Sequence, residues 1–462
     1  MKKLLIIILC LVLVSGLFAC GTGTESEPDN TYPVVWQDSV LEKAVREIIG
    51  KPSGDVLSSD LNKFVILYIM NIGIQYNNRP VVLFGQGEQV GVLSDLVHFK
   101  KLQRFALIDT DISELTPLSG VPLLKDIHIQ NNPQITDISP LKNVSKLITL
   151  TISNQDILDF TAIGDIEGLT EFNIESFMFD TLEPLTKLTK LRQLKLNCPN
   201  ISDMTPISGM TALTQLDVQS SGISDISIVA PLVNLAYLHL SNNGISNLEP
   251  LANLKKLQRL WLDNNQISDI SPLADLPELK RLYLANNQIS DISPLSKIKT
   301  LTNLDLTGND ISDLTPLKKL MNMHILDIGN NKIEDITPIA GLYQIQDLHL
   351  QGNLLSDISP IKKLKKLGDL NLADNQISSI VGLASQGTLG YLTLSGNQIK
   401  DLTPIAKHTA LVSLNIDGNP VNDIYKIEKL AKLRVLSLKD TGVSETDKAW
   451  LKEKFKTCVI TY

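Results

Sequence analysis

Four cysteines, three tryptophans and six histidines are all that 462 residues supply of the side chains most used in redox, metal and nucleophilic chemistry. Cys10 and Cys20 fall near the start, while Cys198 and Cys458 stand about a dozen repeats apart, too far for an internal disulfide. Both are expected as free buried thiols, Cys198 nearer the surface because Pro199 adjoins it in an irregular stretch. A CxxC pair, a glycine-rich phosphate loop and a nucleophile elbow are all missing. Neither catalysis nor a cofactor is expected. Excess positive charge is lacking too. The formal charge is −8, and loss of a leader carrying Lys2 and Lys3 makes it −10, so nucleic acid is not an expected partner.

What is present is repetition. Between Leu102 and Leu438 one pattern, at its cleanest LxxLxLxxNxIxDIxPL, recurs sixteen times at a spacing of 22 residues with one extra residue. Its Asn position runs Thr110, Asn132, Gln155, Phe177, Pro199, Ser221, Asn243 and on to Asn419 and Thr441; ten of the sixteen are Asn. That period and spacing form the leucine-rich-repeat signature, one short strand and one return turn per coil. An α/β solenoid is expected, with a parallel sheet on the concave face and 3₁₀ turns on the convex face. A solenoid grows by addition, so this length needs no division into several globules.

Each column has a structural reason. Leu260 and Leu262 alternate with Arg259, Trp261 and Asp263, which puts the leucines inside and the others outside. Asn265 can donate and accept where the chain leaves the strand. An Asp follows in eleven of fifteen coils, usually with Pro three residues on, as a turn cap would require. Capping accounts for this acidic column without a metal. Lysine pairs such as Lys255-Lys256 and Lys365-Lys366 fall in the return segments. They suit a solvated outer face, or a basic back surface resting on anionic wall polymer.

The first 19 residues have a positive start, an apolar run from Leu4 to Val14, and then Leu17-Phe18-Ala19-Cys20. The run is short for a membrane span and suits a secretory signal. Leu17, Ala19 and Cys20 resemble a bacterial lipoprotein box, which implies cleavage before Cys20 and lipid on its sulfur; Phe18 departs from that pattern. Residues 20–33 then read as a lipidated flexible tether.

At the N-terminal end of the rod, Ser39 to Glu42 reads as a capping box for a helix burying Val40, Leu41, Ala44, Val45, Ile48 and Ile49 and ending at Gly50. A second short helix is expected near Ser58 or Ser59. The run from Trp36 to Lys51, with Gly54-Asp55-Val56 and Ser59-Asp60-Leu61, resembles the helical cap of internalins, surface proteins of Gram-positive bacteria. Their coil is similar to Asn265–Leu273 and Asn287–Leu295. The resemblance implies a surface-adhesion role and extends from about Val34 to Leu438; the family's immunoglobulin-like module and wall-sorting signal are not seen. The expected units are a signal peptide (1–19), tether (20–33), helical cap (34–66), degenerate first coil with an insertion (67–101), sixteen repeats (102–443) and a closing cap (444–462). Within the first coil, Asn77 to Pro80 predicts a hairpin, and at the far end Ser444 starts a helix before a last strand.

Positions that the fold leaves free should carry the information about partners. In the central outward column His239, Trp261 and Tyr283 fall on successive strands, with Tyr237, Arg259 and Arg281 beside them. Aromatics and Arg dominate binding hot spots. Asp305, Asp327 and His349 continue the column and, with Asp347 and Asp369, make it acidic. His128, His239 and His349 share it five coils apart, too distant for one ion. The expectation is a monomeric, non-catalytic, extracytoplasmic protein held to the membrane by its N-terminal lipid alone. It would recognise an extracellular protein through Tyr237, His239, Arg259, Trp261, Arg281, Tyr283, Asp305, Asp327 and His349. The alternative is an envelope component binding wall glycan on the same aromatics.

Overall fold

The computed structural model describes residues 31–462 apart from 155 and 202. The signal peptide, Cys20 and most of the tether lie outside the described residues. Sixteen parallel strands, from β4 (Arg104–Ile108) to β19 (Val435–Ser437), pair each with the next in chain order. Register is constant where it matters: Leu260 pairs with Leu238 on one side and Leu282 on the other. Each of these strands but the last is followed by a 3₁₀ turn on the opposite side of the coil, such as Ser271–Leu273. The chain is a leucine-rich-repeat solenoid with an open, unclosed sheet.

Two side chains build every regular coil. Asn265 donates through Nδ2 to the carbonyls of Leu240 and Leu262, and its Oδ1 accepts the Ile245 N–H at 3.0 Å. One amide thus closes its own turn and bolts it to the coil before. The residue preceding it, Asn264, is left-handed at φ 56°, a conformation Asn and Gly tolerate. Asp269 accepts the Ser271 N–H at 2.8 Å, so the Asp column caps the entry to its 3₁₀ turns, and Glu114, Thr181 and Asn247 do the same in three coils without Asp. Pro272 presets its φ. Between the sheet and these turns lies one continuous core of stacked leucines and isoleucines.

Three coils depart from the expected column. Asn154, Ser176 and Cys198 are buried at the Asn position, whereas Phe177 is 63% exposed and Pro199 is exposed. Among the described residues no left-handed residue occurs in these coils, while Asn131 and Ser220 on either side have it. Each turn is therefore one residue shorter, and the inward column moves up by one. Asn154 confirms the shift, accepting the Asn132 N–H at 3.0 Å. Cys198 is fully buried with its thiol pushed up to about 11 by burial, not nearer the surface.

Both ends are closed by non-repeat elements. Helix α1 (Ser39–Ile49) buries Leu41, Ala44 and Val45, and its cap is Asp38, one residue before the Ser39 expected from sequence. Asp38 accepts the N–H groups of Val40 and Leu41. The second segment is a 3₁₀ turn, Ser58–Lys63. The cap's ladder begins inside the expected tether, where Ser58 N–H donates to Tyr32 O and Pro33 bridges Leu57. Strand β1 (Ile66–Met70) pairs parallel with β4 and antiparallel with β2 (Gly73–Tyr76), which pairs with β3 (Val82–Leu83). That meander covers the sheet edge. At the other end α2 (Glu445–Lys454) starts from Ser444, and β20 (Val459–Thr461) adds the last parallel strand. No helix among the described residues is long and apolar enough to cross a membrane.

Candidate functional site

Strands β10 (Tyr237–His239), β11 (Arg259–Trp261) and β12 (Arg281–Tyr283) lie side by side. Their inward leucines fix the outward residues in two columns, Tyr237-Arg259-Arg281 and His239-Trp261-Tyr283. The Trp261 and Tyr283 rings stack 5.1 Å apart at 9°. Tyr237 leans on the same indole at 4.6 Å and His239 at 5.6 Å. Trp261 is the hub. All four rings are half-buried, and Arg259 and Arg281 are exposed beside them. Burial raises the hydroxyl pKa of Tyr237 and of Tyr283, so both remain neutral donors at physiological pH.

The acidic half continues in register, with Asp305, Asp327 and His349 on successive strands and Asp347 and Asp369 in the next column. Burial raises the pKa of Asp305, which accepts the Thr307 N–H at 2.9 Å. His349 stands between Asp327 and Asp369. All nine expected residues thus lie on one continuous face, aromatic and basic at one end and acidic at the other. Chemically, it offers flat apolar contact, two guanidinium forks and a run of carboxylates.

Some participants were not evident from the sequence. Asp217 approaches His239 at 3.3 Å, a contact readable only once the strand register is known. Asp263, in a third outward column, accepts the Ala285 N–H at 2.9 Å beneath the aromatic rungs. An open groove of about 500 Å³ runs along the flank just before these strands, lined by Arg192, Thr214, Asn234, Lys256, Gln258 and Glu278. Ala212 and Ala236 also line it, small residues where the next coils carry Asn234 and Gln258, and that was the available signal. His128 lies five strands from His239, and among the described residues no three His, Cys, Asp or Glu groups converge on a metal position.

The family described as leucine rich repeats (2 copies) matches residues 233–275, 255–297, 277–318 and 299–341, which include the candidate residues from Tyr237 to Asp327. No curated protein matches the chain. Among solved structures, a leucine-rich-repeat protein of Leptospira interrogans is similar at 21% identity and a TM-score of 0.62, over 80% of this chain and 93% of its own. The functional domain of InlJ from Listeria monocytogenes gives 18% and 0.61, over 89% and 81%. The Arabidopsis receptor kinase HAESA, solved with a peptide hormone and a co-receptor, gives 21% and 0.59, over 75% and 63%. These likenesses establish the shared solenoid fold.

Proposed function

We propose that this chain is an internalin-like, non-catalytic surface protein that holds a protein ligand on its concave sheet around Trp261. The observation that carries this is the stacked Trp261–Tyr283 pair flanked by exposed Arg259 and Arg281. Stacking alone could be structural, because neighbouring rungs of a sheet stabilise one another through such contacts. Guanidinium groups beside half-buried rings are harder to explain that way, since the rings leave apolar area in water and both residue types are enriched in binding hot spots. Support also comes from the solved relative in which a leucine-rich-repeat receptor is complexed with a peptide hormone.

We further propose that Cys20 carries lipid, on the strength of Leu17-Phe18-Ala19-Cys20 after an apolar run, which tethers the protein outside the membrane. The domain units are those set out from the sequence, with the cap's contacts beginning at Tyr32.

The test is retention of residues 21–462 on a panel of extracellular proteins, on host-type cells and on purified wall glycan. Trp261→Ala/Tyr283→Ala should fold normally and lose the bound protein. Retention on glycan alone would move the assignment to an envelope component. Undiminished protein binding by the double variant would remove the site from Trp261. Release of the mature protein by Cys20→Ala tests the anchor separately.

A further inference from the structure

Charge is sorted around the rod. In four consecutive coils the limbs that return from the 3₁₀ turn to the strand, residues 295–302, 317–324, 339–346 and 361–368, hold eight lysines and no Asp or Glu. Lys318, Lys319, Lys362, Lys363, Lys365 and Lys366 are exposed. No carboxylate among the described residues lies within ion-pair distance of these six, whereas Lys297 on the same flank reaches Asp275 at 4.0 Å. The same four coils turn Asp305, Asp327, Asp347 and Asp369 to the concave face. One flank is basic and the sheet beside it acidic.

A second observation concerns apolar surface. Met321 is 46% and Tyr343 53% exposed, on adjacent limbs between the lysine clusters at 318–319 and 362–366. They occupy the column that holds Lys299 before them and Lys365 after them. Nothing in the coil needs an apolar side chain there.

We propose that this flank is a docking surface for an anionic phospholipid bilayer. Lysine stems lie along apolar surface while their ammonium groups sit at the level of the phosphates, and a Tyr ring suits the same boundary. Such clusters of Lys beside a membrane are drawn to anionic headgroups. A soluble polyanion would be served by the lysines alone and would gain nothing from Met321 or Tyr343; a bilayer gains from both. The acidic sheet is repelled by the same surface, so the charge pattern sets orientation as well as attraction. The rod lies on its flank and the concave face opens sideways, accessible to a partner. No residue is shared with the proposed ligand site.

The experiment is co-sedimentation of residues 21–462, which retain every described element and lack Cys20, with two kinds of vesicle. One is phosphatidylcholine alone and the other contains about 30% phosphatidylglycerol. Binding is expected only to the anionic vesicles, and is expected to be lost between about 0.05 M and 0.5 M salt. Lys362→Glu/Lys363→Glu/Lys365→Glu/Lys366→Glu should lower it at least about tenfold. Met321→Ser/Tyr343→Ser, with charge unchanged, should lower it about threefold, and Trp261→Ala should leave it alone. Equal binding to neutral vesicles overturns the proposal, as does indifference to the lysine changes. Retention on inorganic polyphosphate with no effect of the Met321/Tyr343 change also overturns it, since it identifies a purely ionic polymer as the occupant. All four lysines are exposed, and circular dichroism verifies the fold of each variant; should the quadruple variant unfold, salt dependence and the apolar pair still decide.

Discussion

His349 Nδ1 stands 2.5 Å from Asp327 Oδ1 on the preceding strand, while its Nε2 faces Asp369 Oδ1 at 3.7 Å on the following one. One imidazole therefore spans three rungs of the acidic half. The close contact with Asp327 raises its pKa above the ordinary histidine value, against burial, which lowers it. A raised folded pKa means the stabilising contribution is present below the unfolded value of about 6.5 and is lost as pH rises through the folded one. The melting temperature of the wild type should fall relative to His349→Gln as pH rises from below that window to above it. Parallel pH curves for the two proteins would disprove the linkage.

The opposite sign is expected at His408. It and Gln386 are buried on adjacent coils, in the column that Leu364 and Leu430 fill elsewhere. Among the described residues the His408 ring meets only the Leu383 and Ile405 backbone, without a hydrogen bond of full geometry, and Gln386 Oε1 has no partner, although Gln386 Nε2 donates to Ile361 O. Burial lowers the His408 pKa. The neutral form is favoured in the fold, so stability is complete above about 6.5 and declines as pH falls from there toward the folded pKa. His408→Leu should raise stability by about 1–2 kcal/mol and blunt this acid sensitivity, because it removes unsatisfied buried polar atoms. Urea titrations at two pH values check both; a Leu variant that is less stable would show that the imidazole is satisfied after all.

Asp95 joins the cap to the rod. Fully buried, it accepts the N–H groups of Gln37 and Asp38 at 2.8 Å each, while Asp38 in turn accepts from Val40, Leu41 and Gly91. Asp95→Ala would strand the buried Asp38 N–H and the part-buried Gln37 N–H at a cost of roughly 2 kcal/mol. Hydrogen exchange should show α1 opening well before the central coils. Uniform protection across both regions would argue that the cap is held by its apolar face alone.

Cys198 should resist alkylation. With its thiol near pKa 11 and no exposure, it presents almost no thiolate at neutral pH, whereas Cys458 is partly exposed. Mass spectrometry of the folded protein should find the label on Cys458, and on Cys198 only after denaturant is added. Early labelling of Cys198 would place the irregular coils among the least stable parts of the rod.

The solenoid was legible because its determinants are local and repeated. Asn265, Asp269 and Pro272 each act within a few residues of themselves, so their spacing is visible in one coil and verified by the next. The columns failed where spacing ceased to be local. Phe177 and Pro199 were assigned inward places that Ser176 and Cys198 occupy, since the loss of one left-handed turn residue shifts the pattern without changing its period. On the concave face the strand register brought together all nine expected residues. Contacts such as His239 with Asp217 depend on side-chain reach between strands, which the pattern of one strand does not contain. The capping residue was displaced by one, to Asp38, because the choice between neighbouring candidates is made by Asp95, 57 positions away.

From Asn243 to Asn419 every ladder Asn donates to a carbonyl 25 positions earlier and accepts an N–H 20 positions earlier. Constant offsets make the coils interchangeable to one another. Excision or duplication of 22 residues anywhere in this span leaves each remaining coil with a partner of the same kind. Unequal recombination can therefore change the reach of the rod in whole steps, sliding the acidic strands nearer to or farther from the aromatic ones as a block. The ends have no such freedom, because Asp38 and Asp95 recognise each other and no repeat.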